Sequence, residues 1–211
     1  MYCTAKQPLK ELKDSEGVRS EDYLLSPFFS HEPELSLCTK DGFRMTSAGF
    51  VVVYTDGSCL NNGKLNPIAA VGVYFGPESP HNISQTLPDV YSRSNNVAEI
   101  VASLRAFRLC RKYQKLSVEI RTDSKFLIRC MLLHLPVWKT NGWKKTNGKP
   151  VHNKYEFELL DKAIAGMRVR WIYVPAHSGE AGNGCADFLA RLATFKVMRQ
   201  HNPLYFHSLR A

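Results

Sequence analysis

The hydrophobic period of this chain changes near residue 95. Before that point apolar residues come in short β-branched runs; after it they return at intervals of three and four. Gly49–Thr55, Ala69–Phe75 and, more weakly, Asn82–Leu87 read as strands, with Asn61-Asn62-Gly63 as a turn, which together predict an antiparallel meander. From Asn96 to Tyr113 the residues Val97, Ile100, Val101, Leu104 and Phe107 mark one helical face, with Asn95 or Asn96 as the N-cap. Leu116–Thr122 reads as a strand, Ser124–Leu135 as a helix ended by Pro136, and Tyr155–Ala165 as a helix. Val169–Val174 is a further strand and Gly184–Met198 the last helix. Strands first, then helices alternating with strands, predict an α/β fold. Its mixed sheet has later strands parallel to the first and helices over its faces.

Residues 1–46 follow no period. They hold Pro8, Pro27 and Pro33 among scattered charges and read as a disordered tail, ahead of a domain over 47–198 and a C-terminal tail over 199–211. Charge separates these regions too. Residues 47–211 carry 22 of the 28 Lys and Arg but only 11 of the 19 Asp and Glu. A surplus of that size points to a polyanionic partner, nucleic acid first. The six cysteines (Cys3, Cys38, Cys59, Cys110, Cys130, Cys185) form no C-x-x-C pair, which argues against a zinc cage and a secreted disulfide framework. A reducing, intracellular compartment is expected, which makes the Asn82-Ile83-Ser84 glycosylation triplet a chance occurrence. No stretch has the length of a membrane span, and residues 1–25 lack the apolar centre of a signal peptide.

Four acids stand at informative places. The apolar run Val51–Thr55 leads straight into Asp56-Gly57-Ser58, and the strand before Asp123 ends in Thr122-Asp123-Ser124. Parallel neighbours would bring both carboxylates to one carboxyl edge of the sheet, where α/β proteins place their sites. Glu99 and Asp187 are each expected in the first turn of a helix, Asp187 among the small residues Gly184, Cys185 and Ala186. None of the four motifs carries an adjacent Lys or Arg. Converging acids of this kind raise one another's pKa or recruit hard divalent cations, the two-metal arrangement for phosphodiester cleavage. Singly, Asp56 or Asp123 is equally explained as a turn former, and Glu99 or Asp187 is better explained as a helix-dipole or capping residue.

The set Tyr54-Thr55-Asp56-Gly57-Ser58, Asn95-Asn96-Val97-Ala98-Glu99, Thr122-Asp123-Ser124, Val174-Pro175-Ala176-His177-Ser178-Gly179 and Gly182-Asn183 with Ala186-Asp187 resembles type 1 ribonuclease H, over residues 50–196. Trp138 to Lys144 is similar to the basic protrusion of its cellular members. The resemblance implies a five-stranded mixed sheet, three strands antiparallel and two parallel, flanked by helices. It implies an endonuclease that hydrolyses the RNA strand of RNA/DNA hybrids, leaving 5′-phosphate and 3′-hydroxyl ends. Two Mg²⁺ ions, replaceable by Mn²⁺, would be held by Asp56, Glu99, Asp123 and Asp187, Asp56 touching both. His177 would assist proton movement and product release. By the same resemblance Gly57, Ser58, Cys59, Asn61, Asn62, Asn95 and Asn96 face the RNA strand, together with Glu99. Arg93, Ser94, Phe126, Trp138, Lys139, Lys144, Lys145 and Asn153 face the DNA strand, and the loop's lysines, with no acid between them, supply phosphate contacts.

Four positions depart from the family pattern: His134 for a channel tryptophan, Ala176 for glycine, Val97 for a polar residue, and Ser92 ahead of Arg93 where an arginine is common. Residues 1–46 carry neither the aromatic nor the basic content of the small hybrid-binding module found in many relatives, so lower processivity is expected. Readings from other classes are a hybrid-binding protein with weakened chemistry, and an integrase or junction resolvase of the same superfold. The complete acid set separates the first from an enzyme; His177, the basic protrusion and Asn95-Asn96 separate the second. A monomer is expected, working in nucleus, cytoplasm or mitochondria.

Overall fold

The computed structural model describes residues 37–176 and 178–201. His177 lies outside them, as do residues 1–36 and 202–211 of the expected tails over 1–46 and 199–211. Seven strands form one sheet: β1 (Leu37–Cys38), β2 (Arg44–Met45), β3 (Val51–Leu60), β4 (Ile68–Tyr74), β5 (Ile83–Thr86), β6 (Ser117–Thr122) and β7 (Arg168–Tyr173). β3, β4 and β5 form the antiparallel meander. β6 pairs parallel to β3 through Val51–Tyr54, and β7 parallel to β6. The five long strands are therefore those the residue pattern predicts, and the fold is the expected α/β arrangement of a mixed sheet with helices.

Residues 37–46 correct the boundary drawn at 47. They form β1 and β2, antiparallel to one another, with Met45 meeting Val51 of β3. One turn closes this hairpin and a second joins it to β3: the Thr39 hydroxyl accepts the Phe43 amide and the Thr46 hydroxyl accepts the Phe50 amide, each at 3.1 Å. Phe43 anchors it, fully buried, stacked on His81 at 4.3 Å and edge-on to Phe75. Strands of two residues are too short to show a period, so composition alone reads as a tail. The Asn82 side chain also has a structural task. It accepts from the Phe75 amide and donates to the Gly76 carbonyl, both at 2.8 Å.

Helices α1 (Asn95–Lys112), α2 (Lys125–Arg129), α3 (Leu135–Thr140), α4 (Lys154–Ile164) and α5 (Ala181–His201) complete the domain. Ser94, not Asn95 or Asn96, caps α1: its hydroxyl accepts the Val97 amide at 3.2 Å. α1 packs on the sheet through Val97, Ile100, Val101, Leu104 and Phe107, all fully buried. Each such side chain contributes about 1.5–3 kcal/mol. Val97, where the resemblance expects a polar residue, is fully buried in this core.

Pro136 does not end its helix. Between α2 and α3 the chain widens into a π turn, Cys130–His134, in which the Leu135 amide reaches back to the Cys130 carbonyl. Pro136 then falls at the start of α3, where its missing N–H loses nothing.

Alternation along β3 divides the two faces. Gly57 faces α1, where a Cβ would overlap the backbone of Ala98 and Glu99. Asp56 and its cross-strand partner Gly72 face the other way, and a Cβ on Gly72 would strike the Ala186 carbonyl of α5. The two glycines let a helix come down on each face beside Asp56.

Candidate metal centre and nucleic-acid interface

β3 does not stop before Asp56. It runs on to Leu60, with Asp56 as its sixth residue. β6, its parallel neighbour, ends at Thr122 and pairs with β3 only as far as Tyr54. Asp56 thus borders the gap beyond the end of β6, and Asp123 leaves β6 into that gap. Glu99 arrives from the second turn of α1 rather than the first, because the helix begins at Asn95. Asp187 likewise lies in the second turn of α5, which begins three residues earlier than its pattern predicts.

Oxygens of Asp56, Glu99 and Asp123 lie within 4.8 Å of one another. Asp187 lines the same cavity of about 580 Å³, together with Gly57, Pro175, Ser178, Glu180 and Asn183. Its carboxylate stands 3.5 Å from Arg191 one turn along α5, so this acid does have a cation beside it. Asn183, buried, donates its amide to Asp123 Oδ2 at 3.2 Å.

The electrostatics follow from this crowding. Burial, then the charges of Asp123 and Asp187, push the Asp56 carboxyl up to about 7, against the lowering effect of the Gly57 amide. Burial and the charges of Asp56 and Asp123 raise Glu99 well above the usual carboxylate range. Glu99 Oε2 and Asn183 Oδ1 are buried without a hydrogen-bond partner. Orphaned oxygens among converging carboxylates suit a hard divalent cation, and the four acids are the residues that would hold it.

A second concavity, of about 820 Å³, opens beside the first. Ser94 and Asn96 line it from the start of α1, Lys125, Phe126 and Arg129 from α2, and Trp138, Lys145 and Asn153 from beyond. His134 stacks on Trp138 at 5.6 Å, and Trp138 leans on Phe157 at 5.3 Å. The two concavities share their supports. On α1, Asn96 faces the groove and Glu99 the acids, a rise of about 4.5 Å. Around β6, Asp123 faces the acids while Lys125 faces the groove.

Several expected strand-binding residues lie elsewhere. Arg93 is drawn to Asp89 and to the Pro67 carbonyl, away from the groove. Lys139 is paired with Asp161 at 2.8 Å and Lys154 with Glu158 at 3.6 Å, so the lysines of this segment do meet acids, supplied by α4. Lys144 is exposed, its amide bonded to Asn141. Ser58 and Cys59 continue β3 half-buried, and Asn61, at φ 56°, turns its end. Asn62 accepts the Asn95 amide at 3.3 Å, joining that turn to α1; Asn95 and Asn96 themselves are exposed. Ala176 is not among the positive-φ residues, so its replacement of glycine strains nothing. Asn183, Glu180, Lys125, Arg129 and His152 went unmarked as site residues. Asn183 and Glu180 had one signal, their place just before Asp187.

The family model described as RNase H matches residues 48–195. This chain belongs to the ribonuclease H family. It is 39% identical over 190 residues to Ribonuclease H1 of Homo sapiens, covering 89% of this chain and 64% of the relative. With Ribonuclease H of Pseudomonas aeruginosa the identity is 32% over 155 residues, 74% of this chain and all of the relative. The chain spans 54% of the rat ribonuclease H1 and 64% of the human one. Among solved structures, LC9-RNase H1, a type 1 RNase H with the type 2 active-site motif, superposes with a TM-score of 0.57 at 27% identity, covering 70% of this chain and 73% of that one. LC11-RNase H1 in complex with an RNA/DNA hybrid superposes with a TM-score of 0.50 at 26% identity, covering 70% and 98%. Among the described residues no helix is long and apolar enough to cross a membrane.

Proposed function

We propose that this ribonuclease H family chain is a hybrid-specific endonuclease that cleaves the RNA strand of RNA/DNA duplexes, leaving 5′-phosphate and 3′-hydroxyl ends. The observation that carries the reading is the convergence of Asp56, Glu99 and Asp123 within 4.8 Å, with a buried Glu99 oxygen that no protein donor satisfies. Asp56, Glu99, Asp123 and Asp187 would hold divalent cations, Mg²⁺ with Mn²⁺ as substitute, which would supply Lewis-acid activation of water and charge stabilisation at the leaving oxygen. Asn183 fixes the rotamer of Asp123 by its hydrogen bond, and Gly57 lets α1 bring Glu99 down to Asp56. His177, between Ala176 and Ser178 in the sequence, is assigned the proton-transfer role by its motif.

Two strands of one duplex account for two concavities. The acid cavity takes the scissile RNA phosphate, flanked by exposed Asn62, Asn95 and Asn96, whose amides suit 2′-hydroxyls across a minor groove. Lys125, Arg129 and Lys145 with Phe126 and Trp138 make the neighbouring groove cationic and aromatic, which suits the DNA backbone. A duplex that presents 2′-hydroxyls on one strand only fits both. The test is cleavage of a labelled hybrid with Mg²⁺ by the wild type and by Asp123→Asn. Cleavage by the wild type alone is expected; equal cleavage by both, or cutting of duplex DNA instead, overturns the assignment.

A further inference from the structure

Behind the acid cavity lies a polar chain, half-buried at Tyr54 and Glu180 and buried at Arg121 and Glu119, that the mechanism above does not use. The Tyr54 hydroxyl donates to Glu180 Oε1 at 2.5 Å and accepts from Arg121 Nη1 at 2.9 Å. Arg121 is gripped in turn by Glu119 Oε1, through Nε at 2.9 Å and Nη2 at 2.7 Å. Arg170 stands 3.6 Å from the other Glu119 oxygen. Glu119 and Arg121 are 4% and 7% exposed. Taking such a pair out of water leaves little net stabilisation, so its consequence lies in geometry.

The geometry is regular. Tyr54 precedes Asp56 by two residues on β3 and shares its face; Arg121, the penultimate residue of β6, precedes Asp123 by two. Glu180 directly precedes α5, which brings Asn183 onto Asp123 and Asp187 into the cavity. The chain therefore joins three of the four elements that supply carboxylates, one step behind the carboxylates themselves. Gly182 tightens the joint: a Cβ there would overlap the Tyr54 ring, so the start of α5 lies flush on the tyrosine. Glu180 lines the acid cavity, yet its Oε1 is turned to Tyr54.

We propose that Tyr54, Arg121 and Glu180 form a positioning unit that sets how far α5, with Asn183 and Asp187, stands from Asp56 and Asp123, and thereby tunes divalent-cation affinity. None of the three is a catalytic residue. The inference rests on the acid cavity being a cation site.

Mn²⁺ titration of the full chain, followed calorimetrically, tests it alongside metal-free melting and steady-state cleavage. Tyr54→Phe and Glu180→Ala remove the joint and are expected to weaken Mn²⁺ binding about tenfold, the usual effect of losing an outer-shell partner. They should lower kcat with KM unchanged, since the groove is untouched. Glu180→Gln keeps an oxygen for the tyrosine and should bind Mn²⁺ like the wild type. Wild-type affinity in Tyr54→Phe and Glu180→Ala, even with a lower melting temperature, makes the chain merely structural and overturns the proposal. A loss in Glu180→Gln as large as in Glu180→Ala, with Tyr54→Phe unaffected, overturns it in favour of a direct charge effect. A wild-type chain that binds no Mn²⁺ overturns the cation site itself, and the proposal with it.

Discussion

Gly57 lies flat against the backbone of Glu99: a Cβ on it would sit 2.6 Å from the neighbouring Ala98 carbonyl carbon. This contact lets a helix carboxylate meet a strand carboxylate across the edge of the sheet. Gly57→Ala is expected to push α1 off β3, lowering stability by about 1–3 kcal/mol, the range for overpacked sites. Urea unfolding reads the loss, and a midpoint equal to the wild type would show that the contact is not tight.

The Asp56 carboxyl, held up to about 7, makes the metal-free protein pH-sensitive. Its unfolded value is about 3.9, so below pH ~7 the folded state binds the additional proton. The resulting stability is complete below the unfolded value and is lost as pH rises through the folded one. Glu99 is shifted in the same direction. Metal-free protein should therefore melt lower at pH 8 than at pH 5.5, and Mg²⁺ should raise the melting temperature more at pH 8. Asp56→Asn should flatten the metal-free slope, keep the fold and abolish cleavage. Melting curves with EDTA and with Mg²⁺ decide this, and an unaltered slope in the variant would contradict it.

Asn183 reaches Asp123 from sixty positions along the chain. Without that amide the Asp123 carboxylate loses its orientation, and the loss of such a partner lowers activity or metal affinity by about 10–100-fold. Asn183→Ala should show that loss in kcat, with hybrid KM near the wild-type value. A change confined to KM would place Asn183 at the substrate instead.

Lys145 and Lys139 separate the groove from its surroundings. Lys145 lines the groove, whereas Lys139 is engaged with Asp161. In an Asp123→Asn background, Lys145→Ala should weaken hybrid binding and reduce the salt slope by about one. Lys139→Ala should leave both nearly unchanged. Filter binding across a NaCl series measures them together, and equal effects of the two substitutions would refute the division.

Much of this protein is written locally. Periods of two and of 3.6 come from side-chain alternation within a few neighbouring residues, so the five long strands and the helix over 95–112 are legible before any contact is known. Asp56 and Asp123 are legible because an acid after an apolar run is conspicuous. Other features arise only when distant segments meet. The hairpin over 37–46 holds through Phe43 on His81, Lys139 finds its acid on α4, and Pro136 is tolerated because the preceding turn widens. The pairing of Asn183 with Asp123, and of Tyr54 with Glu180 and Arg121, depends on where α5 comes down on the sheet. The sequence by itself determined which carboxylates this chain has and on which elements they ride. Only the tertiary structure decided their spacing and protonation, because both depend on burial and on charges brought together through space.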